Sequence, residues 1–516
     1  MVLRPCARNS RLGAGAAVAS FLAARPPPVW RVDLYASLMI PTTVAEAARR
    51  FGDRIAYVTE LGWSLSYADL HRISDEVAAG LARAGVGEGD VVGLVLPPGA
   101  EYLIAYCAAA KLGAITAGVN DRLSERERKA VLDLADPKLT IDDRDLVLGE
   151  LRAEGATPPP LTNDPERKVA IIFTSGTTGL PKGAVYCNRQ LAFITQTDTG
   201  GNWDTGGRSF SGTSFAHLGF MTKLPGSLQR GGTTFIMERW RAADALDLLA
   251  REKMTTVAGV PTQLALMLRR PDFDSFDLSS VQYIIAGGGP VTSGLAEEAR
   301  RRFGALLATR YSCTEAGIGL GTAFDDPEED AIVSVGRPHA SVELSVRDAE
   351  DRAVEAGAVG EVCLRSPAVM SEYWRDAEQT AAAFTPDGFV RTGDLGWIDD
   401  RGRLRLVGRS KEMYVRGGYN VYPVEIESVL STHPGIASVA VVPRADSVMG
   451  EIGVAVVVPR DPDHVPTLDE LRTFATAHIA AYKLPEALIV RAELPLTAGE
   501  KVDRRALVAD LDDHLA

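Results

Sequence analysis

The 516-residue sequence is poor in cysteine and histidine, and neither residue type forms a metal-binding pattern. The five cysteines include no C-x-x-C pair and are odd in number, so we expect no disulfide framework and a reducing, cytoplasmic environment. The seven histidines form no H-E-x-x-H motif and no cluster with cysteine, which argues against a zinc site.

The sequence also lacks an excess of basic over acidic residues, and it lacks long apolar runs. The net charge of -13 leaves no basic excess for binding nucleic acid, so we expect no nucleic-acid partner. No run of apolar residues after the first segment reaches the roughly 20 needed to cross a bilayer. A chain of 516 residues exceeds one compact core and predicts two or more domains, and its 46% apolar content is ordinary for a globular protein.

The first 32 residues differ from the rest of the chain. Several arginines and a short run of small apolar residues precede Asp33, the first acidic residue. A basic start followed by a short apolar run is typical of a targeting segment. It also fits a disordered tail, or a misplaced start codon with Met39 as the true start, and we favour these because the remaining sequence has a cytoplasmic composition.

From Val44 onward, helical and strand patterns alternate. Residues 66–81 predict a capped amphipathic helix, because Ser66 and Asp69 form a capping pattern before apolar residues at helical spacing. Residues 91–96 predict a buried strand that ends at two prolines. Such alternation predicts layered α/β structure with parallel sheet.

Two further changes of pattern predict the domain organisation. Residues 342–364 are strand-rich, and a new alternation of helices and strands begins after Gly408. We therefore predict an α/β fold with a large N-terminal domain of layered α/β subdomains and a strand-rich subdomain, followed by a small mobile α+β C-terminal domain. The predicted ranges are 1–32 for the extension, 33–408 for the large domain and 409–516 for the small domain.

A loop rich in glycine and hydroxyl residues, 174–183, directly follows a predicted buried strand, 169–174. Its glycines allow the backbone to approach a ligand closely. Its amides, its hydroxyls and Lys182 can hold an anion. It is not a Walker A loop, because Gly183 rather than Ser or Thr follows Lys182. The pattern predicts a phosphate cradle rather than a flexible surface loop.

Residues 173–184 resemble the signature loop of the adenylate-forming superfamily, which includes acyl-CoA synthetases, firefly-type luciferases and peptide-synthetase adenylation domains. Other segments between Val44 and Leu507 resemble the family's motifs in the family's order. They are residues 286–290, 311–315, 391–394, 408–412, 416–427 and 494–504. The Phe-Asp-x-Ser anchor of peptide-synthetase domains is missing near Phe215, which favours the acyl-CoA synthetase branch.

The resemblance implies a nucleotide site. ATP or AMP would be bound by Thr174, Ser175, Gly176, Thr177, Thr178, Gly179, Lys182, Gly287, Gly288, Gly289, Pro290, Tyr311, Asp394 and Arg409. Tyr311 would stack on adenine, and Asp394 would accept hydrogen bonds from the ribose hydroxyls. Thr314 would contact the α-phosphate, and Glu315 would hold Mg²⁺ as a hard oxygen ligand. Lys501 would stabilise the charge that builds up during adenylation, and the implied catalytic residues are Lys501, Glu315 and Thr314.

The resemblance also implies an acid site and a second half-reaction. The pocket for the acid would be lined by Phe215, His217, Gly317, Ile318 and Gly319. After the small domain pivots near residues 409–411 at Lys411, coenzyme A would react beside Arg416, Gly417, Gly418 and Tyr419. The implied cofactors and co-substrates are ATP, Mg²⁺ and coenzyme A, and the implied partners are small molecules, with a homodimer left open.

Three positions depart from the family pattern. Gly289 for Ala and Ser312 for Gly are small changes, but Glu500 stands where the family has Gly immediately before the lysine. A Glu resists positive φ, and its carboxylate could pair with Lys501 or repel phosphate. Two alternatives therefore stay open: a ligase that mainly converts a preformed acyl-AMP, and a non-catalytic nucleotide-binding homologue. The other retained motif residues favour a complete acyl-CoA ligase for a hydrophobic carboxylic acid.

Overall fold

The computed structural model describes residues 39–174 and 181–511. The predicted extension over residues 1–32 lies outside the described residues, as do the cradle residues Ser175, Gly176, Thr177, Thr178 and Gly179. In the described part of the chain, no helix is both long enough and apolar enough to span a bilayer.

The strands of the described residues belong to five sheets. They are β1 (Ile55–Val58), β2 (Ser64–Ser66), β3 (Val91–Leu94), β4 (Ile115–Gly118), β5 (Leu139–Ile141), β6 (Lys168–Thr174), β7 (Lys182–Cys187), β8 (Arg208–Ser211), β9 (Thr233–Ile236), β10 (Thr256–Gly259), β11 (Tyr283–Gly287), β12 (Leu306–Tyr311), β13 (Leu320–Gly321), β14 (Arg337–Pro338), β15 (Glu343–Arg347), β16 (Gly360–Arg365), β17 (Glu372–Tyr373), β18 (Val390–Ile398), β19 (Leu404–Arg409), β20 (Tyr414–Arg416), β21 (Tyr419–Val421), β22 (Ile436–Asp446), β23 (Gly450–Pro459) and β24 (Ala487–Val490).

The helices alternate with these strands along the chain. They are α1 (Ile40–Phe51), α2 (Tyr67–Arg83), α3 (Ala100–Lys111), α4 (Glu125–Ala135), α5 (Arg144–Leu148), α6 (Asn188–Thr199), α7 (Leu218–Met221), α8 (Leu224–Arg230), α9 (Ala242–Arg251), α10 (Pro261–Leu268), α11 (Ser293–Phe303), α12 (Glu328–Val333), α13 (Ala377–Ala383), α14 (Pro423–Leu430), α15 (Leu468–Thr476) and α16 (Arg504–Ala509).

Two largely parallel sheets form the centre of the large domain. One has the strand order β17-β7-β6-β4-β3-β5, and the other has the order β10-β11-β12-β13-β14. Strands β3 to β6 pair in parallel, as do β10 to β12, and the strands at one end of each sheet are antiparallel. The carboxyl ends of β6, β11 and β12 lead into the segments 174–183, 286–290 and 311–315. Ligands of open α/β sheets bind at such ends.

The remaining sheets of the large domain complete its layers. Strands β2-β1-β9-β8 form a mixed sheet, and β15-β16-β18-β19 form an antiparallel sheet in the region predicted to be strand-rich. Helix α3 is buried along nearly its whole length, because apolar and small residues occupy every side of it, and it packs against α1 and α2. The predicted helix start at Ser66 is confirmed, since its hydroxyl accepts a hydrogen bond from the Asp69 amide at 3.0 Å.

The small domain has a core of its own. Its sheet contains β20 to β24, and the apolar clusters on the two sides of this sheet are drawn from residues 414–511 alone. Strand β19 of the large domain ends at Arg409, and β20 begins at Tyr414. The predicted α/β class with a large N-terminal and a small C-terminal domain is thus confirmed, while the exact domain limits stay predictions.

Candidate active site

A cleft of about 3130 Å³ lies between the two domains and is lined by both. It is large enough to hold more than one small ligand at a time. The described residues that the sequence predicted for the site and that line this cleft are Thr174, Lys182, His217, Gly287, Gly288, Gly289, Pro290, Tyr311, Thr314, Glu315, Gly317, Ile318, Gly319, Asp394, Arg409, Lys411 and Lys501. The fold therefore brings together segments that are far apart in the sequence.

One corner of the cleft combines the ends of β11 and β12 with Asp394 of β18. Tyr311 donates a hydrogen bond from its hydroxyl to Asp394 Oδ2 at 2.7 Å, and Arg409 Nε donates to Asp394 Oδ1 at 2.9 Å. A carboxylate has about four acceptor sites, so Asp394 keeps capacity for ribose hydroxyls beside these two donors. Burial and the neighbouring Asp394 charge raise the pKa of Tyr311, which keeps its hydroxyl protonated as a donor.

The glycines of residues 287–289 leave the corner open. A Cβ at Gly287 would lie 2.6 Å from the carbonyl oxygen of Arg310, and Gly288 has a φ of +81°, so both positions favour glycine. A Cβ at Gly289 would meet nothing closer than 3.5 Å. The alanine usual in the family would therefore fit at this position, which makes Gly289 a neutral departure.

The phosphate side of the cleft is built around Lys182 and Glu315. Lys182 Nζ donates to Gln379 Oε1 at 2.6 Å and lies 5.0 Å from the ring centre of Tyr373. The Tyr373 hydroxyl donates to Glu315 Oε1 at 2.7 Å. Burial and the charge of Glu315 raise the pKa of Tyr373, so this hydrogen bond persists at neutral pH. A lysine and a carboxylate are thus held in fixed places on one wall.

A metal ion fits this wall only together with phosphate. Among the described residues, no group of three or more His, Cys, Asp or Glu side chains could hold a metal alone. Magnesium usually takes one or two carboxylates plus substrate phosphates and water, so Glu315 beside a phosphate is a suitable arrangement.

The lysine loop of the small domain reaches into the cleft as a tight hairpin. Thr497 N donates to the Lys501 carbonyl at 2.7 Å, and Glu500 N donates to the Thr497 carbonyl at 2.9 Å. Such a turn ends in a residue with left-handed backbone, usually glycine, and Glu500 has a φ of +60° there. Glu500 therefore adopts the positive φ that a residue with a side chain resists. Lys501 lines the cleft, where burial and the positive charge of Arg409 lower its pKa.

The Glu500 side chain turns away from Lys501. It forms an ion pair with Arg122, with Oε1 at 2.7 Å from Nη1, and its Oε2 accepts a hydrogen bond from Gln263 Nε2. Of the two possibilities raised by the sequence for this carboxylate, pairing with Lys501 is therefore contradicted. The physical reason is that Arg122 and Gln263 of the large domain offer better donors on the other side of the loop, and Arg122 offsets the carboxylate charge.

His217 lies beside the same loop. Asn120 Nδ2 is 3.1 Å from His217 Nε2 and donates to the carbonyl of Ala498 at 3.3 Å, while Asn120 Oδ1 accepts from Arg122 N. These bonds fix the amide orientation, so Nε2 of His217 is an acceptor and the ring is neutral. Burial, with the charges of Lys501 and Arg122, lowers the pKa of His217 to about 4.

Phe215 does not line the cleft, which corrects its predicted place in the acid site. It is 1% exposed and stacks on Phe220 with ring centres 3.7 Å apart. Tyr102 packs edge-on against Phe215. Phe220 and Tyr102 thus enclose the Phe215 ring in the core of the large domain, whereas His217 lines the cleft.

The segment predicted for the coenzyme A step lies outside the cleft. Arg416 pairs with Glu486, Gly417 and Gly418 have positive φ, and Tyr419 is 58% exposed and stacks on Tyr482. The fold therefore places Lys501 in the cleft and this segment on another side of the small domain.

Sequence reasoning missed several residues that shape the cleft. Asn120, Arg122 and Gln263 contact the lysine loop, and Tyr373 and Gln379 hold Glu315 and Lys182. None belongs to a motif that we used. Asn120 and Arg122 lie two and four residues after the end of β4, and this position at the carboxyl end of a parallel strand was the available signal.

The fold and cleft are typical of a two-domain nucleotide-binding enzyme, with a candidate active site lined by both domains. The model of the family described as "AMP-binding enzyme" matches residues 44–374, and that of the "AMP-binding enzyme C-terminal domain" matches residues 425–501. The chain belongs to the family of AMP-binding enzymes.

Related proteins use different acyl acceptors. The chain is 35% identical to an indoleacetate–CoA ligase of Aromatoleum aromaticum, over 86% of this chain and 93% of the relative. It is 32% identical to a fatty acid–[acyl-carrier-protein] ligase, ScoC, of Streptomyces coeruleorubidus, over 86% and 91%. The crystal structure of ATP-bound MatB from Rhodopseudomonas palustris is 26% identical, with a TM-score of 0.81 over 93% of this chain and 99% of that one.

Proposed function

We propose that this protein is an AMP-forming acyl-CoA synthetase that carries out both half-reactions on a carboxylic acid with an apolar body. The observation that carries the proposal is the placement of Lys501 in the cleft that also contains Lys182, Glu315 and Asp394. A protein that only bound nucleotide would have no use for a lysine delivered there by a second domain. The family and the CoA-ligase relative support the same conclusion.

The first half-reaction joins the acid to AMP. A carboxylate oxygen of the acid attacks the α-phosphorus of ATP, the bond to the bridging oxygen breaks, and pyrophosphate leaves. Lys501, Lys182 and the backbone of the 174–183 loop stabilise negative charge as it develops. Thr314 contacts the α-phosphate, Tyr311 and residues 287–290 bind adenine, and Asp394 with Arg409 binds ribose. Glu315 would hold Mg²⁺, which would supply positive charge to offset that of the phosphates.

The second half-reaction forms the thioester. The small domain pivots at Lys411 and turns the segment from Arg416 to Tyr419 toward the cleft. The thiol of coenzyme A attacks the acyl carbonyl carbon, a C–S bond forms, and AMP leaves with the electron pair of the broken C–O bond. Gly417 and Gly418 allow the pantetheine arm to pass close to the backbone.

The sequence raised the alternative that Glu500 prevents adenylation. The Arg122–Glu500 ion pair argues against it, because the carboxylate is neutralised and held away from Lys501.

We propose a cytoplasmic enzyme, since ATP and coenzyme A are supplied there. A homodimer is also a proposal, and sedimentation velocity on the purified protein would test it.

The test is mass spectrometry of acyl-CoA products from pooled carboxylic acids. One reaction contains free acids with ATP, Mg²⁺ and coenzyme A, and the other contains synthetic acyl-AMPs with coenzyme A. We expect product in both. Lys501→Ala should lose about 100-fold or more in the first reaction, as expected for removal of a transition-state charge partner, and keep the second.

Lys129→Ala is the matched control, because Lys129 is exposed on α4 and forms only a surface ion pair with Asp133. Product only from acyl-AMPs would establish the non-adenylating alternative. No product in either reaction, with ATP still bound, would establish the nucleotide-binding alternative. Product with a carrier-protein thiol in place of coenzyme A would reassign the acceptor.

A further inference from the structure

Beyond residues 317–319, here called the acid-binding turn, the cleft is lined by charged or titratable side chains that neither half-reaction uses. They are Asp198, Lys223, Arg230, Arg310 and His339. Lys223 follows α7, the helix that begins directly after His217, so it continues the same wall. Arg310 precedes Tyr311 on β12, and neighbours on a strand point to opposite faces, so Arg310 faces away from the ribose corner.

A single carboxylate, Asp198, faces several cations in this region. Lys223 Nζ lies 3.2 Å from Asp198 Oδ2, and Arg230 Nη2 lies 3.9 Å from the same oxygen. Arg230 Nη2 also donates to the backbone carbonyl of Asp198 at 3.2 Å. Asp198 is 15% exposed and can neutralise only one of the two positive side chains.

Arg310 adds a third cation without a carboxylate of its own. Its Nη1 donates to the carbonyls of Thr309 at 2.8 Å and Thr322 at 2.6 Å. Within the described residues, its other nitrogens form no hydrogen bond, and no carboxylate lies within 4.0 Å of its guanidinium. Burial lowers the pKa of Arg310, and only the more distant Asp198 opposes this effect. A half-buried cation without a counter-ion is unfavourable unless a ligand supplies one.

His339 ties these groups to the acid-binding turn. Its backbone amide donates to the carbonyl of Gly319 at 3.2 Å. Burial, followed by the charge of Arg310, lowers the pKa of His339, and Lys223 acts in the same direction while Asp198 opposes it. Arg310, Lys223 and Asp198 are therefore all close enough to His339 to influence its charge. At neutral pH this part of the cleft carries three cations, one carboxylate and a neutral imidazole.

The walls of the same part of the cleft are apolar. Leu218, Ile318, Leu320 and Val335 line it. We propose that the substrate is a dicarboxylic acid with an apolar body, whose second carboxylate is bound by Lys223 and Arg310. This inference rests on the proposed function, because it takes the first carboxylate to be the one that is adenylated beside Lys501.

Such a site would discriminate between a diacid and an acid that ends in a methyl group, because only the diacid pairs with the cations. A distal carboxylate can accept two hydrogen bonds from Arg310 and a third from Lys223, and it supplies the missing negative charge. An acid that ends in a methyl group would cover both cations without pairing them. Sites built around polar groups reject analogues that leave those groups unpaired.

The experiment compares substrates that differ only at the distal end. Straight-chain and ring-containing acids of matched length, each ending in methyl, carboxamide or carboxylate, are assayed for acyl-CoA formation by wild type, Lys223→Met, Arg310→Met and the control Lys129→Met. We expect wild type to prefer the distal carboxylate in kcat/KM by at least about tenfold, mainly through KM. Lys223→Met and Arg310→Met should lose that preference and keep their activity on methyl-ended acids, while Lys129→Met should match wild type.

A preference of wild type for methyl-ended acids, or equal rates for carboxamide and carboxylate, would overturn the inference. If no acid gives acyl-AMP or acyl-CoA, the proposed function fails. A thermal-shift measurement of acid binding then tests the carboxylate site at Lys223 and Arg310 separately. A rise in Tm with the diacid but not with its methyl analogue, lost in Lys223→Met, would support it. The same rise in Lys223→Met, or no rise in wild type, would refute it.

Discussion

For Glu500, the sequence suggests a residue that hinders adenylation, whereas the structure shows a residue that is paired with Arg122 of the large domain. Its left-handed backbone is unfavourable for a side chain by about 1 kcal/mol. Its bonds to Arg122 and Gln263 are partly buried and charge-assisted, and a bond of this kind contributes about 1.5–3 kcal/mol. The second effect is larger, so Glu500 holds the lysine loop against the large domain.

We therefore expect Glu500→Gly to slow ATP-dependent acyl-AMP formation by about tenfold, equivalent to about 1.4 kcal/mol. Thioester formation from synthetic acyl-AMP should be unchanged, because Glu500 is remote from the segment that serves that step. Stopped-flow release of pyrophosphate measures the first quantity. Glu500→Gln is the matched control, since it keeps the side chain and loses the charge. Faster adenylation by Glu500→Gly would show that Glu500 is inhibitory instead.

His217 gives a pH dependence whose sign follows from its burial. Its pKa falls from the ordinary 6.5 to about 4 in the folded protein, while in the unfolded chain it stays near the ordinary value. Between these values the unfolded chain binds the proton and the folded protein does not. Neutral His217 therefore makes its full contribution to the free energy of unfolding above pH 6.5. This contribution is lost as the pH falls toward about 4.

Urea unfolding at about pH 7 and about pH 5 measures this effect. The free energy of unfolding of wild type should fall between the two by about 1–2 kcal/mol more than that of His217→Gln, which cannot take up a proton. Equal pH dependence of the two proteins would mean that His217 is solvated and titrates normally.

At the scale of elements, the turn after β12 depends on Gly317. Its φ is +71°, and a Cβ there would lie 2.4 Å from the carbonyl oxygen of Ala368. Gly317→Ala should destabilise the protein by about 1–3 kcal/mol, because it adds a backbone clash to a conformation that side chains resist. Thermal unfolding measures the change.

Gly207→Ala is the control for this substitution. Its φ is not in the left-handed region, and a Cβ there would meet no atom within 4 Å, so its Tm should stay near that of wild type. A Gly317→Ala variant as stable as Gly207→Ala would mean that the turn can shift away from Ala368 without loss.

At the scale of the whole molecule, exposed polar contacts also join the small domain to the large one outside the lysine loop. Arg460 pairs with Glu298 at 2.9 Å, and Arg269 donates to the carbonyl of Ala492 at 3.1 Å. Exposed contacts of this kind are weak, which fits the domain rotation that we propose for the second half-reaction. The chain crosses between the domains at residues 410–413, next to β19.

Lys411→Pro tests the proposed pivot. Proline fixes φ near about −65° and restricts the preceding residue, so the hinge should be unable to turn. We expect acyl-AMP to form and accumulate while acyl-CoA formation falls by about 100-fold, in line with loss of a gating motion. Quenched-flow chromatography measures both products. Lys411→Ala should resemble wild type, and a Lys411→Pro variant with normal acyl-CoA formation would place the pivot elsewhere.

The sequence by itself determined the α/β class, the family and a set of motif residues that the fold brings together in the cleft. This was possible because glycine turns, capping patterns and strand ends are local features, readable from neighbouring residues. Ser66 capped its helix as predicted, and Gly288 took the positive φ that its loop required.

Only the tertiary structure decided where side chains point and what they meet. The burial of Phe215 against Phe220, the pairing of Glu500 with Arg122 and the cations around Asp198 each join segments that are distant in sequence. No local pattern predicts such contacts, because their energies depend on which groups the fold brings within a few ångströms and on how much water it removes between them.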